Sequence, residues 1–347
     1  AITMILQGCS AAGINSSAQS IGTLNRLVIV ADNDVWEGPI GDTIRYYLGA
    51  AYPVLPQPEP TFDLQHYTAE EMDEDAVRKR FRSILVLGDT KNQMSFTTQF
   101  IKKEIGEENI IALQNTDEKS AVKVSKNRWV GNQKVMFLYA DGEEALVDAI
   151  KDRCSSIAGV VEKSDSNMLN SRVYLRGKNQ GLARKIKEDF GANIPIPGEY
   201  IEAFYDADKK FAWIRKDKKV AIMNLMIHKR AYKDTSQLSI QGVKSLRDSL
   251  GAKYITSVQE GSYMRVNDWD LKLYHEFHPI AGKFGVELRG IWEMKNDAMG
   301  GPFMSYMIHD AEAGEVLFVD AFVFAPNKKK RDLMQELNVV MDGITFD

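Results

Sequence analysis

Apolar residues fall into two kinds of run along this chain, and the kind changes part-way. Residues 26–31 contain Leu27-Val28-Ile29-Val30, apolar at every position, and residues 83–87 and 134–139 repeat that signature. A strand that is apolar on both faces needs cover on both, which helices usually supply. Spaced apolar positions predict helices over 38–50, within 93–105 and from 142 to about 162. The first half thus reads as an α/β unit around a small mixed sheet, in two or three layers. Pro53, Pro56, Pro58 and Pro60 mark a stiff extended segment, and the cluster Glu70, Glu71, Asp73, Glu74 and Asp75 marks a solvated helix start.

The second half looks different. Leu182, Ile186 and Phe190 form a helical stripe that stops at Gly191, a favoured C-terminal cap residue. Beyond it come long strands and short turns: a hairpin over 211–215 and 220–227, then a meander over 287–295, 303–309 and 315–324. One amphipathic helix carries Ile240, Val243, Leu246 and Leu250, and another carries Leu333, Leu337, Val340 and Ile344. The expected fold is therefore α+β here, an antiparallel sheet with helices on one face. The domain reading is 1–9 as a leader remnant, 10–24 as a flexible tether and 25–165 as the N-terminal α/β domain. A helical connector over 166–191 and a C-terminal α+β domain over 192–347 complete it.

With 347 residues the chain is long enough for about two domains. Its formal charge of −4 and 27% charged residues do not favour nucleic acid as a partner. Charge is unevenly divided: 25–165 hold 17 basic and 24 acidic residues, net −7, while 166–347 hold 27 and 24, net +3. Two cysteines exclude a disulfide scaffold. Cys154 lies on a helical stripe with Leu146, Ile150, Ile157 and Val161, where a sheltered structural thiol is expected.

The other cysteine has a different setting. Leu6-Gln7-Gly8-Cys9 follows a short apolar run and resembles the bacterial lipobox, in which a cysteine after a small residue is acylated and becomes the N-terminus. No charged residue precedes Arg26, and 10–23 are rich in Ser, Ala, Gly and Asn, as a tether would be. Two or three acyl chains, at ~0.8 kcal/mol per buried methylene, would hold a protein on a bilayer essentially permanently. Ser10 rather than Asp after Cys9 implies, by the same resemblance, the outer membrane.

Arg289-Gly290-Ile291-Trp292, Met299-Gly300-Gly301-Pro302-Phe303 and Phe322-Val323-Phe324-Ala325-Pro326 before Lys330-Arg331 resemble a family of bacterial lipoproteins known only as a domain of unknown function. Trp129 with Gln133, Arg247-Asp248-Ser249 and Gly261-Ser262-Tyr263-Met264 fit the same likeness, which brings no catalytic residues with it. Physically, Trp292, Phe303, Phe322 and Phe324 are expected for the most part to fill the covered face of the sheet; in a surface role they would form an aromatic-lined groove beside the turn at Gly300. Its binding candidates are Arg289 as polar anchor with Trp292, Gly300, Gly301 and Phe303.

Two weaker constellations remain. His275 and His278 flank Glu276 but are three residues apart and precede Pro279, which does not suit a helical zinc site; on a strand they would face opposite sides. Asp32 and Asp34 directly after the first strand resemble the first motif of haloacid-dehalogenase-like phosphatases. Thr90, Asp141 and Glu143 would stand for the later motifs and Mg²⁺ for the metal. The expectation is a membrane-anchored envelope protein without a cofactor that binds a protein, glycan or lipid partner, the alternative being a Mg²⁺-dependent phosphatase. Lys328-Lys329-Lys330-Arg331 is expected to be a solvated run.

Overall fold

A computed structural model describes residues 18–346, which form two compact units: unit 1 holds residues 18–51 and Pro60–Met168, and unit 2 holds Tyr52–Glu59 and 169–346. Cys9 and the leader lie outside the described residues. Residues 18–24, expected in the tether, run along unit 1 instead. Gln19 bridges Gly131, Ile21 bridges Phe81, and Leu24 is buried.

In unit 1 the elements follow in the order β1 (Arg26–Val30), α1 (Asn33–Glu37), α2 (Pro39–Leu48), β2 (Asp63–Tyr67), α3 (Ala69–Glu74), β3 (Ser83–Asp89), α4 (Phe96–Ile105), α5 (Glu107–Gln114), β4 (Ser120–Lys126), β5 (Lys134–Ala140) and α6 (Glu143–Val173). The sheet order is β2-β1-β3-β5-β4, parallel except for β4. Successive residues of β1 point to opposite cores, which is why the whole run must be apolar. Leu27 and Ile29 meet Ile44 of α2 and Ile150 of α6, whereas Val28 and Val30 meet Met72 of α3 and Ile101 of α4. The unit is a three-layer sandwich. The acidic cluster is indeed a helix start: Thr68 and Glu71 form a reciprocal capping box at α3. Cys154 is half-buried and donates to the Lys151 carbonyl at 3.2 Å.

Unit 2 contains α7 (Gln180–Phe190), β6 (Ile201–Asp206), β7 (Phe211–Lys218), β8 (Ala221–Ala231), α8 (Ile240–Tyr254), β9 (Tyr263–Asn267), β10 (Tyr274–Ile280), β11 (Lys283–Lys295), β12 (Gly300–Asp310), β13 (Glu315–Phe324) and α9 (Arg331–Asp342). Eight antiparallel strands run in the order β10-β11-β12-β13-β8-β7-β6, with β9 paired to the far end of β11. The expectation of helices on one face is corrected: α7 and α9 pack one face through Ile186, Phe190 and Leu337, and α8 packs the other through Val243, Leu246 and Leu250. The reason is legible in β13, where Val316 to Val323 are buried without alternation.

Two sequence boundaries move. Helix α7, read as a connector, is part of the unit 2 core, and Tyr52–Glu59 belongs to unit 2 rather than to the domain around it in sequence. Leu55 is buried in the α9-side core, and Glu59 fixes the segment's end. Its carboxylate accepts the backbone N–H groups of Lys330 at 2.6 Å and Arg331 at 3.1 Å. Cations at a helix start oppose the helix dipole, and this carboxylate supplies the compensating charge. The basic run is accordingly not all solvated: Lys330 and Arg331 are buried, while Lys328 and Lys329 are exposed.

Candidate binding groove

An open groove of about 330 Å³ lies in unit 2 around Gly300 and Gly301 at the start of β12. The strand order explains it. On one side stand β9 and β11, contributing Asn267, Ile291 and Glu293; on the other is the end of β13, with Phe324, Ala325, Pro326 and Asn327. Between them β12 presents two residues without side chains. At Gly301 a Cβ would stand 2.0 Å from the Val323 carbonyl oxygen, so the strands can close up only on glycine. Pro56 and Gln57 of the proline-rich segment also line the groove.

The polar side is tightly held. Glu293 Oε1 accepts from Arg265 Nε at 2.9 Å and Nη2 at 2.7 Å. Asn267 Nδ2 donates to Glu293 Oε2 at 3.1 Å and to Asp270 Oδ2 at 2.7 Å. Arg265 in turn lies 4.8 Å over the ring of Trp269, which is 56% exposed. Sequence reasoning missed Asn267, Glu293 and Trp269, because nothing in their spacing shows that β9 pairs with β11.

The five binding candidates separate. Trp292, Gly300 and Gly301 line the groove. Trp292 is nevertheless almost wholly buried: its indole N–H donates to the Val323 carbonyl at 3.2 Å and its ring meets Phe322 edge-on. Phe303 is core, lying under the Arg247 guanidinium at 3.8 Å. Arg289 is not the groove's anchor. It points to the α9 side, where its guanidinium donates to Glu287, which also pairs with His278 Nε2 at 3.2 Å. Burial works against the Arg289 charge, but Glu287 and Tyr52 outweigh it and push its pKa up. Beside this cluster, Tyr306 donates to Asp342 at 2.9 Å; loss of water around the Asp342 carboxyl, with Glu287 adding repulsion, raises its pKa.

His275 and His278 fall on opposite faces of β10, paired with Leu288 and Gly285. Among the described residues no group of three His, Cys, Asp or Glu side chains could hold a metal ion. The residues of the phosphatase constellation are engaged in hydrogen bonds and an ion pair with other residues. Asp32 accepts from Thr97 N at 3.1 Å and from its Oγ1 at 2.7 Å, Asp34 from Val35 N at 2.9 Å, and Asp141 pairs with Lys91 at 3.5 Å. Thr90 is buried and donates to the Ala140 carbonyl at 3.0 Å. These bonds join the end of β1 to α4 and the end of β3 to that of β5.

Residues 179–343 match a domain of unknown function (DUF4837), and residues 20–101 match a second (DUF8532). The chain therefore carries two domains of unknown function. The first covers every groove residue except Pro56 and Gln57, and every motif of the lipoprotein likeness from Arg247 onward. No curated protein matches the chain. Among solved structures, LpqN of Mycobacterium tuberculosis, described as involved in cell envelope biogenesis, aligns at 12% identity and TM-score 0.29, covering 44% of this chain and 82% of its own. The lipid transfer and protein localization domain of human StarD13 aligns at 10% identity and TM-score 0.22, covering 47% and 88%. At such scores neither likeness bears on what this chain does. No helix among the described residues is long and apolar enough to cross a membrane.

Proposed function

We propose that this chain is a cell-envelope lipoprotein, held at a membrane through lipid on Cys9, whose C-terminal unit is a binding module and not an enzyme. The anchor rests on the apolar run ending in Gly8-Cys9. Ser10 after it supports the outer membrane as the address.

The binding role rests on one observation: the groove of unit 2 is assembled from the residues that carry the likeness to the lipoprotein family. Trp292, Gly300, Gly301, Phe324 and Lys330 converge on it from β11, β12, β13 and the start of α9. Catalysis needs groups able to move protons or to activate a nucleophile. Here the carboxylate is already neutralised by Arg265, which suits recognition better than turnover.

The test has two parts. Mass spectrometry of the native N-terminus should find an acylated Cys9; a bare thiol on a retained leader would overturn the anchor. A photocrosslinking residue placed at Gln57 or Pro326, both exposed and both lining the groove, should give a discrete adduct in intact cells. Adducts no different from those at a remote exposed site such as Lys151 would overturn the binding role.

A further inference from the structure

Resting on the binding-module reading, we infer that the groove of unit 2 holds a segment of a saccharide chain. The argument starts from how its two sides differ. On the β9–β11 side the groups that remain available are acceptors: Glu293 keeps lone pairs free after its bonds to Arg265 and Asn267, and Asp270 lies behind Asn267. On the opposite side the available groups include donors. The amides of Gln57 and Asn327 line the groove, and Lys328 and Lys329 follow in sequence; none of these four side chains makes a hydrogen bond or ion pair within the described residues. Apolar surface also runs across the groove, with Ile291 on the first side, the glycine backbone between, and Phe324 and Pro326 on the second.

A ligand that fits must donate on one side, accept on the other and present apolar faces between. Sugar rings do this: each hydroxyl both donates and accepts, and the axial C–H faces pack on apolar or aromatic surfaces. Trp269 does not line the groove itself, but it is 56% exposed two residues from Asn267, with Arg265 over one side of its ring. A chain running past the acceptor side would pack on what remains exposed. The groove is open, which suits a polymer passing through better than an enclosed small molecule.

Two competing ligand classes fit less well. An extended peptide added as a strand needs free backbone donors at a sheet edge. The outward N–H groups of β9 are taken, Met264 by the Ile255 carbonyl at 3.0 Å and Val266 by Asp248 at 2.7 Å. A phosphate-bearing headgroup would find cations on one side only, Lys330 with Lys328 and Lys329 beside it, and would meet acceptors, Glu293 and Asp270, on the other.

The test uses the full chain and indole N–H resonances. Cellotetraose and the β-1,4-linked N-acetylglucosamine tetramer, each titrated to about 10 mM, distinguish a plain from an N-acetylated chain, and dissociation constants of ~1 mM or tighter are expected. The signals of Trp269 and Trp292 should move, and those of Trp36 and Trp129 in unit 1 should not. Trp269→Ala and Gln57→Ala change exposed side chains, so the melting temperature should hold while affinity falls at least about tenfold for the first. The inference is overturned if neither tetramer moves Trp269 and Trp292, or if binding survives both substitutions. It is equally overturned if phosphatidylglycerol vesicles move those signals and the saccharides do not. Crosslinked adducts at Gln57 in cells without any saccharide response would retire the saccharide alone, whereas loss of both would retire the binding module with it.

Discussion

Under α8 the guanidinium of Arg247 and the carboxylate of Asp320 are fully buried, Nε to Oδ1 at 2.9 Å. Ser305 donates to the same oxygen at 2.5 Å, and Phe303 lies beneath the guanidinium. Arg247 Nη1 and Asp320 Oδ2 have no hydrogen-bond partner among the described residues. Burial pushes the Asp320 pKa up even with Arg247 beside it. An incompletely satisfied pair stabilises little over apolar groups, but removing one partner strands the other charge at a cost of about 3–5 kcal/mol. Asp320→Asn preserves the shape and the Ser305 bond, and the Phe303 contact, ~2 kcal/mol when desolvated, still holds Arg247. The loss should therefore sit near the lower end, about 3 kcal/mol. Replacing both, Arg247→Met with Asp320→Leu, should return to within ~1 kcal/mol of the parent or exceed it. Hydrogen exchange of α8 amides along a urea titration reads unit 2 apart from unit 1. An Asp320→Asn variant within ~1 kcal/mol of the parent, or a double variant as unstable as the single one, would refute the reasoning.

Glu59→Ala removes the carboxylate at the start of α9 and should cost about 1–2 kcal/mol, with faster amide exchange confined to the first turn of that helix. Trp292→Ala should cost about 3–5 kcal/mol in unit 2 by urea titration, so its effect on any ligand would be inseparable from unfolding. Gly301→Ala, forced against the Val323 carbonyl, should cost at least ~1–3 kcal/mol by the same titration. His228 is half-buried, and that burial, with Arg230 and Lys253 nearby, holds its pKa below the usual imidazole value. The unfolded chain then binds the proton more readily, so stability is fully present above pH ~6.5 and falls as pH drops from there towards the folded pKa. Melting temperatures of a His228→Gln variant should lose that fall.

The three buried strands of unit 1 were legible because a continuous apolar run has one meaning there, cover on both sides, and α2, α4 and α6 provide it. The same signal lay in residues 316–323, where the hairpin-like setting suggested cover on one face only; α8 and α9 in fact occupy both. Strands β2, β4 and β10 escaped notice because their residues are half-exposed or polar, as in Asp63–Tyr67 and Tyr274–Ile280. Of the site, Gly300-Gly301 and Trp292 were readable as a turn-rich aromatic motif, whereas Arg289 and Phe303 were assigned to it through proximity in sequence. Residues two apart on a strand share a face, but which face a neighbouring element covers is not a local property.

By itself the sequence determined the composition of the cores, the strand and helix segments with strong periodicity, the cap at Gly191 and the apolar run before Cys9. These depend on interactions between residues a few positions apart. Tertiary structure alone decided that Tyr52–Glu59 serves unit 2, that Glu59 caps a helix more than 270 residues later, and that β9 meets β11 to build the acceptor side of the groove. Each of those is a contact between distant segments, chosen by the burial of whole faces and not by any preference of the residues that touch.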